Sequence, residues 1–217
     1  MNGFTPLTGP LGFYPVVPTA DWVQRLLGWG VRTVQLRIKA ADHSPAEIAA
    51  QIQAAVAAGR AVPGAQVFIN DHWKLALAFG AYGVHLGQED LTDAEGANLD
   101  ALRCAGLRLG LSTHTPAELA RAKAVQPSYL AIGPIYPTTL KVMPYAPVGL
   151  QLLTVWAAQA APYPVVAIGG ISLALMPGVL ACGVDGVAVV SAVTQAADPQ
   201  RATQSGLSLA AARQSVA

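Results

Sequence analysis

The chain is poor in charged residues: Asp, Glu, Lys and Arg make up only 12% of its 217 residues, about half the usual share. The net charge is +1 and the basic residues form no cluster, which argues against a nucleic-acid partner. Two cysteines, Cys104 and Cys182, are too few for a disulfide framework and lack the spacing of a metal site. Both stand among Ala and Leu in helix-like segments, so we expect small, buried residues.

Long apolar runs and a leader-like start are also missing. Although 53% of the residues are hydrophobic, no uncharged apolar run reaches the ~18 residues of a membrane-spanning helix. The best candidate, residues 179–193, is too short and contains Asp185. Residues 1–12 have no basic segment followed by an apolar stretch, which is not the pattern of a secretory leader. We therefore expect a cytoplasmic protein with a large core and no membrane partner, and the sequence leaves homo-oligomer formation open.

Strand-like runs and Ala-rich helical stretches alternate along the chain. Eight runs have strand character, most of them apolar on both faces as in a parallel sheet: Phe13–Val17, Thr33–Arg37, Gln66–Asn70, Tyr82–Leu86, Leu107–Leu111, Tyr129–Gly133, Pro164–Ile168 and Asp185–Val190. Ser44-Pro45-Ala46-Glu47 and Thr115-Pro116-Ala117-Glu118 are typical helix starts. The alternation predicts an α/β fold, a single (β/α)8 TIM barrel over residues 1–217, with an extension at 1–12 and a C-terminal helix from about 199.

A doubly wound open sheet is the alternative fold, but no Gly-rich dinucleotide-binding fingerprint follows the first strand. One connection, residues 134–148, is too long and too rich in proline for a minimal turn. Loops of that length in compact domains are usually functional.

Three polar residues alternate with apolar ones at the end of the second strand. Gln35, Arg37 and Lys39 share one face because successive side chains of a strand point to opposite faces. If that face lines the barrel mouth, Arg37 requires an anion. The anion is either a phosphorylated ligand, such as a diphosphate, or a carboxylate of a neighbouring strand.

Acidic residues follow the next two strands. Asn70 and Asp71 end the third strand, and Asp90 follows the fourth. Asn70 can bind a heteroaromatic ring through hydrogen bonds. Asp71 either binds a cation or caps the following helix. Adjacent strands lie about 5 Å apart, so the two carboxylates can approach one Mg²⁺, which is typically held by one or two carboxylates and substrate phosphate oxygens.

The remaining strand ends offer neutral groups. Ser112 follows the fifth strand, and hydrogen bonding to a substrate or to the helix start fits it better than nucleophilic attack, because no base is clearly positioned. His85 lies inside an apolar strand and is expected to be a core histidine with satisfied hydrogen bonds rather than a ligand. Gly169-Gly170 and Val190-Ser191 follow the last two strands, where this fold often binds phosphate; a tight turn is the alternative for the two glycines.

The rim thus has two predicted anion sites, one assisted by a metal ion and one formed by backbone N–H groups. No residue is a strong candidate nucleophile. This combination favours a reaction that joins or splits two phosphorylated small molecules by stabilising charge.

At these residues the chain resembles the thiamine-phosphate synthase family, from about Tyr14 to Asp198. The resemblance is carried by these runs, in this order: Gln35-Leu36-Arg37-Ile38-Lys39, Phe68-Ile69-Asn70-Asp71, Gly83-Val84-His85-Leu86-Gly87-Gln88-Glu89-Asp90, Gly110-Leu111-Ser112-Thr113-His114, Gly133-Pro134-Ile135-Tyr136-Pro137-Thr138, Ala167-Ile168-Gly169-Gly170-Ile171 and Gly186-Val187-Ala188-Val189-Val190-Ser191.

The resemblance implies a TIM barrel that joins a hydroxymethylpyrimidine diphosphate to a thiazole phosphate, giving thiamine phosphate and pyrophosphate. It implies that pyrophosphate leaves first and that the thiazole nitrogen captures the resulting carbocation. It also assigns roles. The pyrimidine diphosphate would be held by Gln35, Leu36, Arg37, Ile38, Lys39, Asn70, Ser112 and Lys141. One Mg²⁺ per subunit would be held by Asp71 and Asp90, and the thiazole phosphate by Thr138 with its neighbours Thr139 and Leu140, and by Gly170, Val190 and Ser191. Arg37, Lys39, Lys141 and Ser112 would act in catalysis.

One residue departs from the family pattern. The family loop usually reads Pro-Thr-any-Thr-Lys, whereas this chain has Leu140 before Lys141 and so lacks one hydroxyl donor. A lost hydrogen bond to a charged group costs on the order of 1.5–3 kcal/mol, which would slow the enzyme without abolishing it. Two alternatives follow: a thiazole tautomerase, which would not need Arg37, Lys39, Asp71 and Asp90 together, and a non-catalytic barrel that senses thiazole phosphate.

Overall fold

Eight parallel strands close into a barrel in the order in which they occur in the chain, and the eighth pairs with the first. The structure, a computed structural model, describes residues 3–91, 96–138 and 145–214. All eight neighbouring pairs are parallel. The predicted TIM barrel is therefore confirmed, and the open-sheet alternative is excluded.

The elements follow the predicted alternation. The strands are β1 (Gly12–Val17), β2 (Thr33–Leu36), β3 (Gln66–Asn70), β4 (Gly83–Leu86), β5 (Arg108–Thr113), β6 (Tyr129–Ile132), β7 (Val165–Ile168) and β8 (Gly186–Val189). The helices are α1 (Ala20–Gly28), α2 (Pro45–Ala61), α3 (Trp73–Ala78), α4 (Leu99–Cys104), α5 (Pro116–Ala124), α6 (Gly149–Ala160), α7 (Met176–Leu180), α8 (Ser191–Thr194) and α9 (Pro199–Gln214). In β5 the strand reaches Thr113, so Ser112 lies within the strand instead of after it.

Two helix starts show how local sequence sets the element boundaries. Ser44 and Glu47 form a reciprocal capping box at α2, with Pro45 at the first position. At α5 the Thr115 hydroxyl accepts a hydrogen bond from the Glu118 N–H. The Glu118 carboxylate, however, bonds to the N–H of His114 and not to the cap residue. The second helix start is thus only half a capping box.

The core has two layers. A large apolar cluster fills the space between the strands and the surrounding helices, and a smaller one fills the barrel itself. Cys182 belongs to the outer cluster, as expected, but Cys104 is exposed at the end of α4, so that expectation was wrong for Cys104. In the described part of the chain, no helix is both long enough and apolar enough to cross a membrane.

Three aromatic rings occupy the barrel interior. The Phe68 ring lies 5.1 Å from the Tyr129 ring and 6.0 Å from the Tyr14 ring, measured between centroids. In register, Phe68 stands opposite Gly83 on β4, and Tyr129 stands opposite Gly110 on β5. A Cβ atom on either glycine would collide with the facing ring. The glycines therefore leave the space into which the rings fold.

The N-terminal segment covers the end of the barrel away from the strand carboxyl ends. The Pro10 carbonyl accepts hydrogen bonds from Thr33 Oγ1 and Gln66 Nε2 at 3.2 and 3.1 Å. The Tyr82 hydroxyl donates to Gln66 Oε1 at 2.6 Å. These bonds satisfy polar groups below the aromatic layer and leave the opposite end open for ligands.

We expect Gly110→Ala to destabilise the fold by about 1–3 kcal/mol, because the added methyl group overlaps the Tyr129 ring in a filled barrel. Urea unfolding followed by tryptophan fluorescence measures the loss. Gly28→Ala is the matched control: its Cβ meets nothing within 4 Å, and an added methyl in a helix is neutral or stabilises by up to about 1 kcal/mol. Equal stability of the two variants would contradict the steric role of Gly110.

Candidate active site

The carboxyl ends of the strands meet at one end of the barrel, where active sites of this fold form. A cavity of about 180 Å³ opens there beside β2 and β3, lined by Arg37, Ile38, Lys39, Ala40, Asn70, Asp71 and His72. A larger cavity of about 740 Å³ lies at the opposite end under the N-terminal segment. None of the predicted site residues lines the larger cavity, whereas Arg37, Lys39, Asn70 and Asp71 line the smaller one.

The polar residues of β2 and its extension face the mouth as their alternation predicts. Gln35 is buried, and its Nε2 donates to the Tyr14 hydroxyl at 3.3 Å inside the barrel. Arg37 is half-buried and Lys39 is exposed, and both line the small cavity. The side chains of Leu36 and Ile38 belong to the outer apolar core. Leu36 can therefore offer a ligand only its backbone.

Asp71 takes an unusual backbone conformation. Its φ is +60°, in the left-handed region, and its N–H donates to the His85 carbonyl of β4 at 3.0 Å. The residue that caps α3 is His72, so the helix-cap interpretation of Asp71 was wrong. Conformations of this kind are concentrated at functional sites, where the surrounding structure supports the strain.

The electrostatic environment of Asp71 favours a cation. Burial raises the pKa of its carboxyl, Arg37 opposes that rise, and the negative charge of Glu89 adds to it. The residue as a whole remains exposed, so solvent moderates the shift. A carboxylate crowded by protein and by a second acid is relieved by a bound cation.

Asp90 lies on the neighbouring turn, where its Oδ2 accepts a hydrogen bond from the Gly87 N–H at 2.8 Å. Among the described residues no group of three or more His, Cys, Asp or Glu could hold a metal ion. Magnesium does not need such a group, because it usually keeps water and substrate phosphate oxygens as ligands. Two carboxylates on adjacent strand ends, with Glu89 close by, fit a Mg²⁺ ion that arrives with a phosphorylated substrate.

Ser112 has a histidine partner that the sequence did not indicate. Its Oγ lies 2.9 Å from His85 Nε2, and His85 Nδ1 lies 2.7 Å from the Tyr129 hydroxyl. His114, the nearby histidine in sequence, instead contacts Glu118 Oε2 through Nδ1 at 2.9 Å. His85 is buried with both ring nitrogens in hydrogen bonds, as expected of a core histidine, but one of its partners is a site residue.

Gln88 was not among the predicted residues. Its Nε2 donates to the Ser112 carbonyl at 2.7 Å, and its Oε1 is buried without a hydrogen-bond partner in the described structure. A buried acceptor left without a partner costs about 1–3 kcal/mol. Gln88 thus links the turn that carries Asp90 to the end of β5.

The loops after β6 and β7 pack tightly against each other. The Tyr136 N–H donates to the Gly169 carbonyl at 3.0 Å, and Gly169 and Gly170 both have positive φ. A Cβ on Gly170 would meet the Pro137 carbonyl and Tyr136. The absence of side chains at Gly169 and Gly170 lets the loop that carries Thr138 lie beside β7. The two glycines therefore allow two loops to approach closely, in addition to forming a tight turn.

The other predicted phosphate residues stand at the rim. Val190 precedes α8 and Ser191 begins it. Gly170 and Ser191 are exposed. Thr139, Leu140 and Lys141 lie outside the described residues.

The described chain resumes at Tyr145, which packs on the β5 end of the mouth. Its ring stacks on His114 with centroids 4.8 Å apart, and its hydroxyl donates to Glu118 Oε1 at 3.0 Å. Burial alone would raise the pKa of Glu118, but hydrogen bonds from His114 and Tyr145 hold it below its usual value. This contact ties the end of the loop after β6 to α5.

Comparison with known proteins agrees with this geometry. A family model described as thiamine monophosphate synthase matches residues 13–193. The chain belongs to the thiamine-phosphate synthase family. Relatives named thiamine-phosphate synthase from Shigella boydii serotype 18 and Escherichia coli strain SE11 are each 53% identical over 207 residues, which cover 95% of this chain and of each relative.

Solved structures extend the agreement to the fold of this synthase family. A thiamine phosphate pyrophosphorylase from Pyrococcus furiosus superposes with a TM-score of 0.78 at 30% identity, covering 94% of this chain and 96% of that one. A 3-hexulose-6-phosphate synthase from Salmonella typhimurium superposes with a TM-score of 0.69 at 16% identity, covering 94% and 100%. At that identity the second match shows the barrel fold alone.

Asp71→Asn should raise the melting temperature of the ligand-free protein slightly at pH 7. The pKa of Asp71 is raised on folding, so its ionisation opposes folding above that pKa and has no effect below the ordinary aspartate value of about 4. The gain should therefore shrink as the pH falls towards about 4. Asn also tolerates positive φ, so the backbone is kept.

Thermal scans across this pH range measure the effect. Asp21→Asn is the control, because it removes an exposed carboxylate paired with Arg25 at 2.9 Å and should bring no gain. A loss of stability in Asp71→Asn at pH 7 would show that the carboxylate is favourably paired without a cation.

Proposed function

We propose that the protein is a thiamine-phosphate synthase, a transferase that joins a hydroxymethylpyrimidine diphosphate to a thiazole phosphate and releases pyrophosphate. The observation that carries this proposal is the small cavity, in which Arg37, Lys39, Asn70 and Asp71 converge beside a second acidic turn. Cations and carboxylates together suit a diphosphate bound with a divalent metal. The name of the relatives gives the product, thiamine phosphate, and the family resemblance implies the two substrates.

The diphosphate is the leaving group of the proposed reaction. Arg37 and Lys39 neutralise the negative charge that grows on it as the carbon–oxygen bond breaks, and such stabilisation is usually the largest catalytic term. Lys141, four residues before Tyr145, adds a third cation. The attacking thiazole nitrogen carries no proton, so the site needs no general base for this step.

The pyrimidine ring is assigned to the polar groups deeper in the mouth. Asn70 and Gln35 are buried amides that can bind its ring nitrogens and amino group. Ser112 lies on β5, on the other side of His85. Because these amides are buried, water would have little access to a carbocation held beside them.

Magnesium is proposed as the one cofactor of each subunit, held by Asp71 and Asp90. When bound, it would supply positive charge to the diphosphate oxygens. The raised pKa of Asp71 supports this assignment, because a cation would relieve its unfavourable surroundings.

The thiazole phosphate is assigned to the half of the mouth built from β6, β7 and β8. Gly170 and Ser191 are exposed at the rim, where their backbone N–H groups are the proposed donors, and Thr138 lies on the loop that packs against the glycines. Backbone donors and close approach suit a phosphate that is held but not cleaved.

The test is an endpoint assay with both substrates, with and without magnesium, in which thiamine phosphate is oxidised to its fluorescent product. We expect product only with magnesium, which would also show that Leu140 is tolerated. No product from folded protein that still binds thiazole phosphate would favour the tautomerase or sensor alternatives.

Substitutions of Asp90 test the metal assignment. Asp90→Ala should sharply reduce turnover, with only partial rescue by excess magnesium. Asp90→Asn keeps an acceptor for the Gly87 N–H and removes only the charge, so we expect it to lose activity as well. Asp100→Asn, an exposed acid paired with Arg103 at 2.7 Å, is the control. Normal kinetics in Asp90→Asn would remove Asp90 from the metal site.

We also propose a cytoplasmic location. Both proposed substrates are phosphate esters, which do not cross membranes unaided. Cys104 and Cys182 are both unpaired, and an exposed free thiol such as Cys104 suits a reducing compartment.

A second copy of the chain is proposed to cover the face formed by α6 and α7. Between Lys141 and Asp185 the sequence contains no charged residue and no histidine. The large hydrophobic side chains exposed in the described structure, Leu152, Val155 and Leu175, all lie in this segment. Pairing identical faces about a two-fold axis is favourable when they carry no like charges.

We expect the wild-type protein to be a dimer by light scattering and Leu152→Glu to be a monomer, because the two-fold axis would bring the new charges together. Thr154→Glu adds the same charge on another side of α6 and should leave the dimer intact. A monomeric wild-type protein at assay concentrations would contradict this proposal.

A further inference from the structure

A chain of hydrogen bonds crosses the barrel interior from β2 to β5. Gln35 Nε2 lies 3.3 Å from the Tyr14 hydroxyl, which lies 2.8 Å from the Tyr129 hydroxyl. The Tyr129 hydroxyl is 2.7 Å from His85 Nδ1, and His85 Nε2 is 2.9 Å from Ser112 Oγ. These hydrogen bonds link Gln35 and Ser112, two residues of the proposed pyrimidine site. The link runs through Tyr14, Tyr129 and His85, which have no assigned role.

The Gln35 amide sets the donor–acceptor direction of every other hydrogen bond in this network. An amide NH2 donates and cannot accept, so Tyr14 accepts from Gln35. Tyr14 is buried, and among the described residues Tyr129 is the acceptor within reach of its one hydrogen, so satisfying that hydrogen requires Tyr14 to donate to Tyr129. The one hydrogen of Tyr129 then goes to His85 Nδ1. A neutral histidine that accepts at Nδ1 carries its proton at Nε2, and His85 therefore donates to Ser112 Oγ.

We propose that Tyr14, Tyr129 and His85 are positioning residues that make the Ser112 hydroxyl a hydrogen-bond donor towards the substrate. Because Oγ already accepts from His85, the single Ser112 hydrogen is directed to another acceptor. The acceptor on the substrate would be a diphosphate oxygen or a pyrimidine ring nitrogen. This inference rests on the proposed placement of Ser112 beside the pyrimidine diphosphate.

The same direction explains why Ser112 is not a nucleophile, although a histidine lies within hydrogen-bond distance. A general base must accept the serine proton, whereas the His85 nitrogen that faces Ser112 is the one that carries a proton. Turning the Gln35 amide by 180° would reverse every bond in the chain and make Ser112 a donor to His85. The orientation of one amide thus decides which chemistry Ser112 offers.

Burial keeps the two tyrosines in the donor form. It raises the pKa of Tyr14 and of Tyr129 far above the physiological range. Both side chains are almost fully buried, so water does not compete for their hydroxyl groups. Both hydroxyl groups therefore keep the hydrogen that they donate across the pH range of enzyme assays.

The first experiment reads the tautomer of His85 in the ligand-free protein by long-range proton–nitrogen NMR of ¹⁵N-histidine-labelled protein. We expect a protonated Nε2 and an unprotonated Nδ1. In Tyr129→Phe, which keeps the ring but removes the donor, the Nδ1 signal should shift. A protonated Nδ1 in the wild-type protein would overturn the proposal, whatever the enzyme's activity.

The second experiment is kinetic. Tyr129→Phe should lower kcat/KM for the pyrimidine diphosphate by about tenfold, as expected for one misdirected hydrogen bond to a charged group, and leave KM for the thiazole phosphate unchanged. Tyr82→Phe is the matched control: it also removes a tyrosine hydroxyl bonded inside the barrel, to Gln66 at 2.6 Å, but outside the chain.

A double-mutant cycle separates positioning from simple destabilisation. In a Ser112→Ala background, Tyr129→Phe should cause no further loss of kcat/KM, because the hydroxyl it directs is gone. Additive losses, or an equal kinetic loss in Tyr82→Phe, would show that the tyrosine acts only through stability. Inactive wild-type protein with the expected tautomer would instead count against the proposed function alone.

Discussion

The barrel interior must bury three aromatic rings, two of which carry a hydroxyl group that cannot be left without a partner. Gly83 and Gly110 provide the space for the rings. The hydroxyls of Tyr14 and Tyr129 bond to each other and then to groups above them. Because buried polar groups must be satisfied, the packing of the lower barrel determines which polar groups stand at the floor of the active site.

Much of this architecture was predictable, because it depends on two local regularities. Alternation of strand and helix patterns predicted the barrel, and the alternation of side chains along a strand predicted that Gln35, Arg37 and Lys39 face the mouth. Parallel strands end at the same edge, so Arg37 and Asp71 were expected near each other, and they line one cavity. These inferences need only the pattern of residues within each element and the knowledge that the strands are parallel.

The contacts between strands were not predictable, because they depend on register and on backbone conformations that the sequence does not state. Asp71 has a left-handed backbone and its N–H bonds to the His85 carbonyl, whereas the sequence left open two roles for this residue, cation binding and a helix cap. His114 is the histidine nearest to Ser112 in the sequence, but the histidine that contacts Ser112 is His85 on the neighbouring strand. Gln88 was overlooked because its contact, a bond to the Ser112 carbonyl, joins the ends of two different strands.

The two halves of the barrel mouth present different kinds of groups to a ligand. From β2 to β5 the rim presents side chains with defined charge and hydrogen-bonding capacity, whereas from β6 to β8 it presents backbone held in place by Gly169 and Gly170. Selection can therefore act on them separately. The first half is constrained mainly by the chemical identity of its side chains and the second mainly by the close packing of its loops. On the proposed assignment of the two halves, substitutions in the loops after β6 and β7 would change the fit of the molecule that is joined and leave the charges beside the leaving group unchanged.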